Sequence, residues 1–125
     1  MREILFRGKR TDNGEWITDS ETYIRDGDGI WLSDENLNVV TVIPETIGQY
    51  TGLTDKNGVR IFEGDIVKAF SRYDTQHTYA ITYRNGVFWF GNCNLVEFID
   101  RFQFAEVVGN IHDNSEIIKG GGDNG

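Results

Sequence analysis

The stretch from Gln49 to Lys68 constrains the fold more than any other part of the chain. Within it, Asp55-Lys56-Asn57-Gly58 places Asn-Gly between Thr54 and Val59. Asn and Gly tolerate the positive φ that a two-residue hairpin loop demands, so a tight hairpin is expected here. Ile61 and Phe62 read as a short buried step, and Glu63-Gly64-Asp65 as a second bend. Ile66 to Phe70 then read as a strand, with Ile66, Lys68 and Phe70 on one face and Val67 and Ala69 on the other. A chain that turns this tightly twice in so short a span has no room for a long helix there.

Similar punctuation recurs along the chain. Residues 3–9 read as a first strand, Asp12-Asn13-Gly14 as a hairpin turn, and residues 15–18 as the return, with Trp16 and Ile17 on opposite faces. Tyr23-Ile24 and Ile30-Trp31-Leu32 flank an Asp26-Gly27-Asp28-Gly29 turn, and residues 34–38 form a polar loop. Val39 to Ile43 is a β-branched run stopped by Pro44. Residues 44–49 are expected to be extended, with a helical turn as the alternative. Residues 71–76 are polar; His77 to Arg84 alternate; Asn85-Gly86 turns the chain into Val87-Phe88-Trp89-Phe90. Leu95, Phe98, Ile99 and Phe102 have helical spacing, so residues 95–102 stay open between a helical turn and a weak strand. Residues 103–108 read as a last strand, and Asn114 or Ser115 stands where a short helix would be capped. Residues 120–125 lack apolar side chains and are expected to be disordered.

Short strands with a turn at roughly every 8–12 residues point to a mainly β fold. The run Glu63-Gly64-Asp65-Ile66-Val67, a polar loop, a Tyr-rich strand, Asn-Gly and an aromatic strand resembles small SH3-like barrels. A partly open barrel around Tyr50 to Phe90 is expected, with extra hairpins and one or two short helical segments. With 125 residues, one domain over 1–119 is expected.

The net charge is −8, but its placement carries more information. Residues 2–10 hold Arg2, Arg7, Lys9 and Arg10 against Glu3, whereas residues 12–55 hold ten acids and one base, Arg25. This argues against a general nucleic-acid binder, which must neutralise phosphates with Lys and Arg. It permits a local basic pocket, an acidic protein-binding face or mimicry of nucleic-acid charge; an acidic surface that keeps a small protein in solution is the plainer reading. The single Cys93 excludes an internal disulfide and suits a reducing compartment. No apolar run approaches the ~20 residues of a membrane span, and no signal peptide is read at the start, so a soluble cytoplasmic protein is expected.

Catalytic constellations are missing from the sequence. His77, Cys93 and His112 are scattered, so neither a metal site nor a cofactor is implied. Phosphate-binding glycine fingerprints and a nucleophile elbow are absent. Glu63 and Asp65 would share a strand face, but Gly64 between them favours a turn role. Asp26 and Asp28 resemble part of a calcium loop without its remaining ligands. What stands out is a set of aromatic and Arg residues. Aromatic faces stack bases and Arg forks grip phosphates. For Trp89, between Phe88 and Phe90, a core position is expected. Arg10, Trp16, Arg72 and Tyr73 lie at or beside turns, which makes them candidate ligand-binding residues. Asp26, Asp28, Asp34 and Glu35 are candidate protein-binding residues in the acidic region.

Gln-Tyr-Thr-Gly-Leu-Thr-Asp-Lys-Asn-Gly from Gln49, followed by Ile-Phe-Glu-Gly-Asp-Ile-Val from Ile61, resembles the signature of the YopX family of phage and prophage proteins. Phe6-Arg7-Gly8-Lys9-Arg10 through Asn13-Gly14-Glu15-Trp16 resembles the family's opening, and Val107-Val108-Gly109-Asn110-Ile111-His112-Asp113-Asn114 its close. The resemblance covers most of residues 3–118 and implies the same barrel architecture, a homo-oligomer, and an accessory protein acting in the bacterial host's cytoplasm. Three functions follow as expectations. The first is a non-enzymatic protein that binds a host protein, such as a defence component. The second is an oligomeric sponge for a nucleotide signal. The third is an enzyme, for which the residues offer no constellation.

Overall fold

The computed structural model describes residues 3–71, 76–94, 97–98 and 102–117. The chain is mainly β and divides into two compact units, Met1–Gly52 and Leu53–Gly125. No helix among the described residues is long and apolar enough to cross a membrane.

The first unit contains β1 (Phe6–Lys9), β2 (Trp16–Ser20), β3 (Ile24–Asp26), β4 (Gly29–Ser33), β5 (Val39–Val42), a 3₁₀ turn (Pro44–Thr46) and the start of β6 (Gly48–Thr54). β1 lies between β2 and β6, and β3, β4 and β5 form a separate antiparallel sheet in that order. Strand alternation decides what is buried. Ile30 and Leu32 of β4 point inward to join Ile17 and Val42, with Phe6, Val40 and Ile47 packed against them. Leu32 is fully buried, and burial of a side chain of that size contributes about 1.5–3 kcal/mol. Gly8 permits a close approach here: a Cβ on it would lie 3.0 Å from Ile47 Cδ1 and 3.3 Å from Val42.

Residues 44–49 divide between the two expectations: 44–46 take the helical turn, and 47–49 are extended. Pro44 to Thr46 form the 3₁₀ turn, and extended backbone resumes at Ile47. Pro44 supplies a preset φ at the turn's start. Thr46 Oγ1 then donates to the Ile43 carbonyl at 2.6 Å and accepts the Lys9 N–H at 2.8 Å, which ties the turn to β1.

The second unit contains β7 (Arg60–Phe62), β8 (Asp65–Ser71), β9 (Gln76–Arg84), β10 (Val87–Phe90), β11 (Cys93–Asn94) and β12 (Phe102–Asn110). Five of these strands form an antiparallel sheet in the order β11-β10-β9-β8-β12. Its end strands are not neighbours, so it is an open half-barrel. Ile61, Val67, Ala69, Ile81, Phe88, Phe90 and Phe98 form the core. Trp89 departs from expectation. The strand period buries Phe88 and Phe90 and turns Trp89 to the other face, half-buried beneath Arg84, whose Cζ sits 4.6 Å from the ring centre. Of residues 95–102, Glu97 and Phe98 are helical and Phe102 opens β12. The tail 120–125 lies outside the described residues.

The Asn-Gly pairs adopt different geometries. At Asn85-Gly86 both residues have positive φ (54° and 80°), and Arg84 pairs directly with Val87, which is the expected two-residue hairpin loop. At Asn57-Gly58 the glycine, at φ 81°, takes the left-handed conformation, and Asn57 does not. The loop there is longer, closed by Asp55 N–H to the Val59 carbonyl at 2.7 Å. Its organiser is the Asp55 carboxylate, a residue the Asn-Gly reading passes over.

Candidate functional site

Each motif can be followed to the work its residues do. Asp55 is buried and accepts backbone N–H groups from Asn57 (2.8 Å) and Val59 (2.9 Å) on one oxygen and Val107 (3.0 Å) on the other. Lys56 N–H adds a bond to the Ala105 carbonyl at 2.9 Å. These last two contacts reach β12, the end strand of its sheet, and satisfy groups that an edge would otherwise present for pairing. Burial pushes the Asp55 carboxyl up, but the three N–H donors more than offset it, so its pKa lies below the ordinary carboxylate value. Asp65, 2% exposed, accepts the Phe62 N–H at 2.8 Å, which is the turn role expected for the Glu63-Gly64-Asp65 bend.

The closing motif is built the same way. Asn110 Oδ1 accepts the N–H groups of His112 and Asp113, both at 2.9 Å. Asn114 Oδ1 accepts Asn110 N–H at 3.2 Å, and Ile111 N–H reaches the Gly64 carbonyl at 2.9 Å. Gly109 leaves room for this: a Cβ there would lie 2.8 Å from Asn114 Oδ1. Thus the two longest motif matches in the second unit are spent on joining turns to strands.

The opening motif puts chemistry on view. β1 and β2 set Lys9 opposite Trp16. Arg7, two residues earlier on the same strand face, brings its Cζ to 4.9 Å from the Trp16 ring centre, and Lys9 Nζ lies at 5.6 Å. Next to this stack is a half-open cavity of about 250 Å³ whose lining includes Arg10, Glu15, Trp16, Thr18, Asp34 and Glu35. The structure therefore brings together two candidate ligand residues, Arg10 and Trp16, and two candidate protein-binding residues, Asp34 and Glu35. Two sets kept apart in the sequence reading share one cavity.

Arg10 is already engaged. Its Nε and Nη2 donate to the two Asp12 oxygens at 2.9 Å each, the fork geometry a phosphate would need. Those bonds hold the Arg10 pKa above its ordinary value and the Asp12 carboxyl below its own. Asp34 is also engaged: Oδ1 accepts the N–H groups of Asn36 (2.9 Å) and Asn38 (2.8 Å), which shape the 34–38 loop. The Asn38 N–H leads the effects that keep the Asp34 carboxyl below the ordinary value. Among the described residues, the Glu15 and Glu35 carboxylates have no hydrogen-bond or ion-pair partner. Sequence reasoning missed Glu15 as a site residue, although its place beside Trp16 at the end of a hairpin was a usable signal.

The other candidates fall elsewhere. Asp26 and Asp28 are exposed at the β3–β4 hairpin, where Gly27, at φ 61°, holds the first central position of a two-residue loop. They form a plain turn and do not line the cavity. Arg72 and Tyr73 lie outside the described residues. No group of three or more His, Cys, Asp or Glu side chains close enough to hold a metal ion occurs among the described residues. Cys93 is buried and is not part of a disulfide.

Comparison with known proteins adds two findings. A family model described as YopX protein matches residues 5–119. The crystal structure of protein EF1440 from Enterococcus faecalis is similar at 25% identity and a TM-score of 0.62, over 94% of this chain and 99% of that one. None of the curated proteins matches.

Proposed function

The chain belongs to the YopX family, and from that premise we propose that it acts by binding, without turnover, as a phage or prophage accessory protein that engages and inhibits a host protein such as a defence component. The observation that carries this reading is the make-up of the first unit's cavity. Its lining sets Glu15, Asp34 and Glu35 against one guanidinium, and that guanidinium is matched by Asp12. A phosphate brought there meets repulsion, whereas a basic protein surface meets attraction. Size argues the same way. Pockets that enclose a whole small ligand run to roughly 300–1,000 Å³; about 250 Å³ suits a single side chain.

A nucleotide sponge is the second reading, favoured by one observation. Trp16 beneath Arg7 and Lys9 offers a stacking face with cations beside it. Self-association is proposed on the β3 edge, which ends its sheet and is exposed along Ile24–Asp26.

Capture from host lysate tests the choice, with wild type beside a variant carrying Asp26→Lys, Asp28→Lys, Glu15→Lys and Glu35→Lys. Asp34 stays untouched because it shapes its own loop. The reading expects a host protein held by wild type in a salt-sensitive way and lost with the variant. An intact nucleotide carried by wild type would replace it with the sponge, and a ligand recovered cleaved would replace it with an enzyme.

A further inference from the structure

We infer that the Asn85-Gly86 loop is a self-modification site, where Asn85 loses its carboxamide nitrogen and becomes aspartate or isoaspartate. This goes beyond the binding reading above and does not depend on it. The chain supplies its own nucleophile. The Gly86 backbone nitrogen gives up its proton and attacks the Asn85 side-chain carbonyl carbon; a carbon–nitrogen bond forms and ammonia leaves. Water then opens the resulting succinimide ring. Opening at one carbonyl restores the backbone with aspartate, and opening at the other routes the backbone through the side chain as isoaspartate. One water is taken up and one ammonia released, and nothing is oxidised or reduced. Glycine suits the attacking position because no side chain crowds its nitrogen.

Three Asn-Gly pairs lie among the described residues, and every member is exposed, so exposure does not rank them. Hydrogen bonding does. Gly14 N–H donates to the Arg10 carbonyl at 3.1 Å, and Asn13 Oδ1 accepts the Glu15 N–H at 2.9 Å, so both reacting groups are held. Gly58 N–H donates to the Asp55 carbonyl at 3.0 Å, and Asn57 N–H to the Asp55 carboxylate at 2.8 Å, which fixes the attacking nitrogen and the backbone before it. At Asn85-Gly86, neither the carboxamide nor the Gly86 N–H has a partner among the described residues. A Cβ placed on Gly86 would meet nothing within 4 Å. The peptide between them can therefore turn toward the carboxamide without breaking a hydrogen bond. Isoaspartate would also lengthen the backbone of a two-residue loop, which the direct pairing of Arg84 with Val87 does not allow for.

Mass spectrometry gives the test. The full chain is held in warm, mildly alkaline buffer, sampled over time and digested. The mass gained when NH₂ is replaced by OH marks conversion, and chromatographic retention separates aspartate from isoaspartate. The peptide with Asn124-Gly125, outside the described residues, is read separately. Asn85 is expected to convert roughly tenfold faster than Asn13 or Asn57, the factor for about one net hydrogen bond broken on the way to attack. In guanidinium chloride, where those bonds are gone, the three rates should converge. Conversion at Asn13 or Asn57 as fast as at Asn85 in the folded chain would overturn the inference. So would an Asn85 that stays unconverted, or one that keeps its lead in guanidinium chloride, since the difference would then not come from the fold.

Discussion

Among the described residues the two units differ in their buried carboxylates: the second unit holds two and the first none, although Asp34 of the first also accepts backbone N–H groups. In the second unit, Asp55 and Asp65 are 7% and 2% exposed and accept backbone N–H groups. In the first, Glu15, Glu35, Asp26 and Asp28 are exposed, and Glu15 and Glu35 accept no hydrogen bond on their side chains among the described residues. A buried carboxylate must be bonded or it costs several kcal/mol, so its position is fixed by the fold around it. An exposed one costs little and is available to a partner. The densest motif therefore need not mark the working surface; here it marks joints.

The largest expected effect sharpens that contrast. Asp55→Ala leaves three part-buried N–H donors without their acceptor and should cost about 2 kcal/mol, read as a drop in the urea midpoint. Asp55→Asn should cost less, because an amide oxygen can still serve the turn while its NH₂ faces the Val107 N–H. Should Asp55→Ala unfold at the wild-type midpoint, the joint role is wrong. The pH dependence carries the same signature. The Asp55 pKa is lower folded than unfolded, so its contribution is fully present above the unfolded value of about 3.9. It is lost as pH falls below that value through the folded pKa. Wild type should lose stability in that acid window, and Asp55→Ala should show a shallower slope there.

Next in size is Gly58→Val. Nothing lies within 4 Å of a Cβ at Gly58, so the cost is purely that of a branched residue at φ 81°, about 1–2 kcal/mol. A wild-type melting temperature in that variant would show that Asp55 alone shapes the loop. The smallest effect belongs to the first unit. Glu15→Gln with Glu35→Gln should stay within about 0.5 kcal/mol of wild type, and thermal melting checks it. A larger loss would mean that these carboxylates are structural after all, and the contrast between the units would collapse.

Much of the fold was legible because its signals are local. Alternation in His77 to Arg84 and the Asn85-Gly86 pair specify a hairpin without help from distant residues. The deviations came where a distant partner decides. Asp55 reaches Val107 across fifty-two positions, and that contact, with the carboxylate's turn bonds, turned an apparent Asn-Gly loop into an Asp-centred one. Residues 44–46 curl because Thr46 meets Lys9, which neighbouring residues do not foretell. The site was legible in part. Arg10 and Trp16 stood out by type, and Asp34 and Glu35 by charge, but their meeting in one cavity depends on how the β1–β2 hairpin and the 34–38 loop pack. The Arg10–Asp12 pair also lay in plain sight at a spacing of two, and it removes the free fork that a phosphate reading required.

One paired measurement addresses the central claim, that the joints of the second unit and the binding surface of the first are separate. Melting temperature and host-protein capture are recorded together for Asp55→Asn and for Glu15→Lys with Glu35→Lys. The account predicts that Asp55→Asn melts lower yet still captures the partner below its transition, and that the double lysine variant melts like wild type and captures nothing. Capture retained by the double lysine variant, or lost by a folded Asp55→Asn, would contradict it.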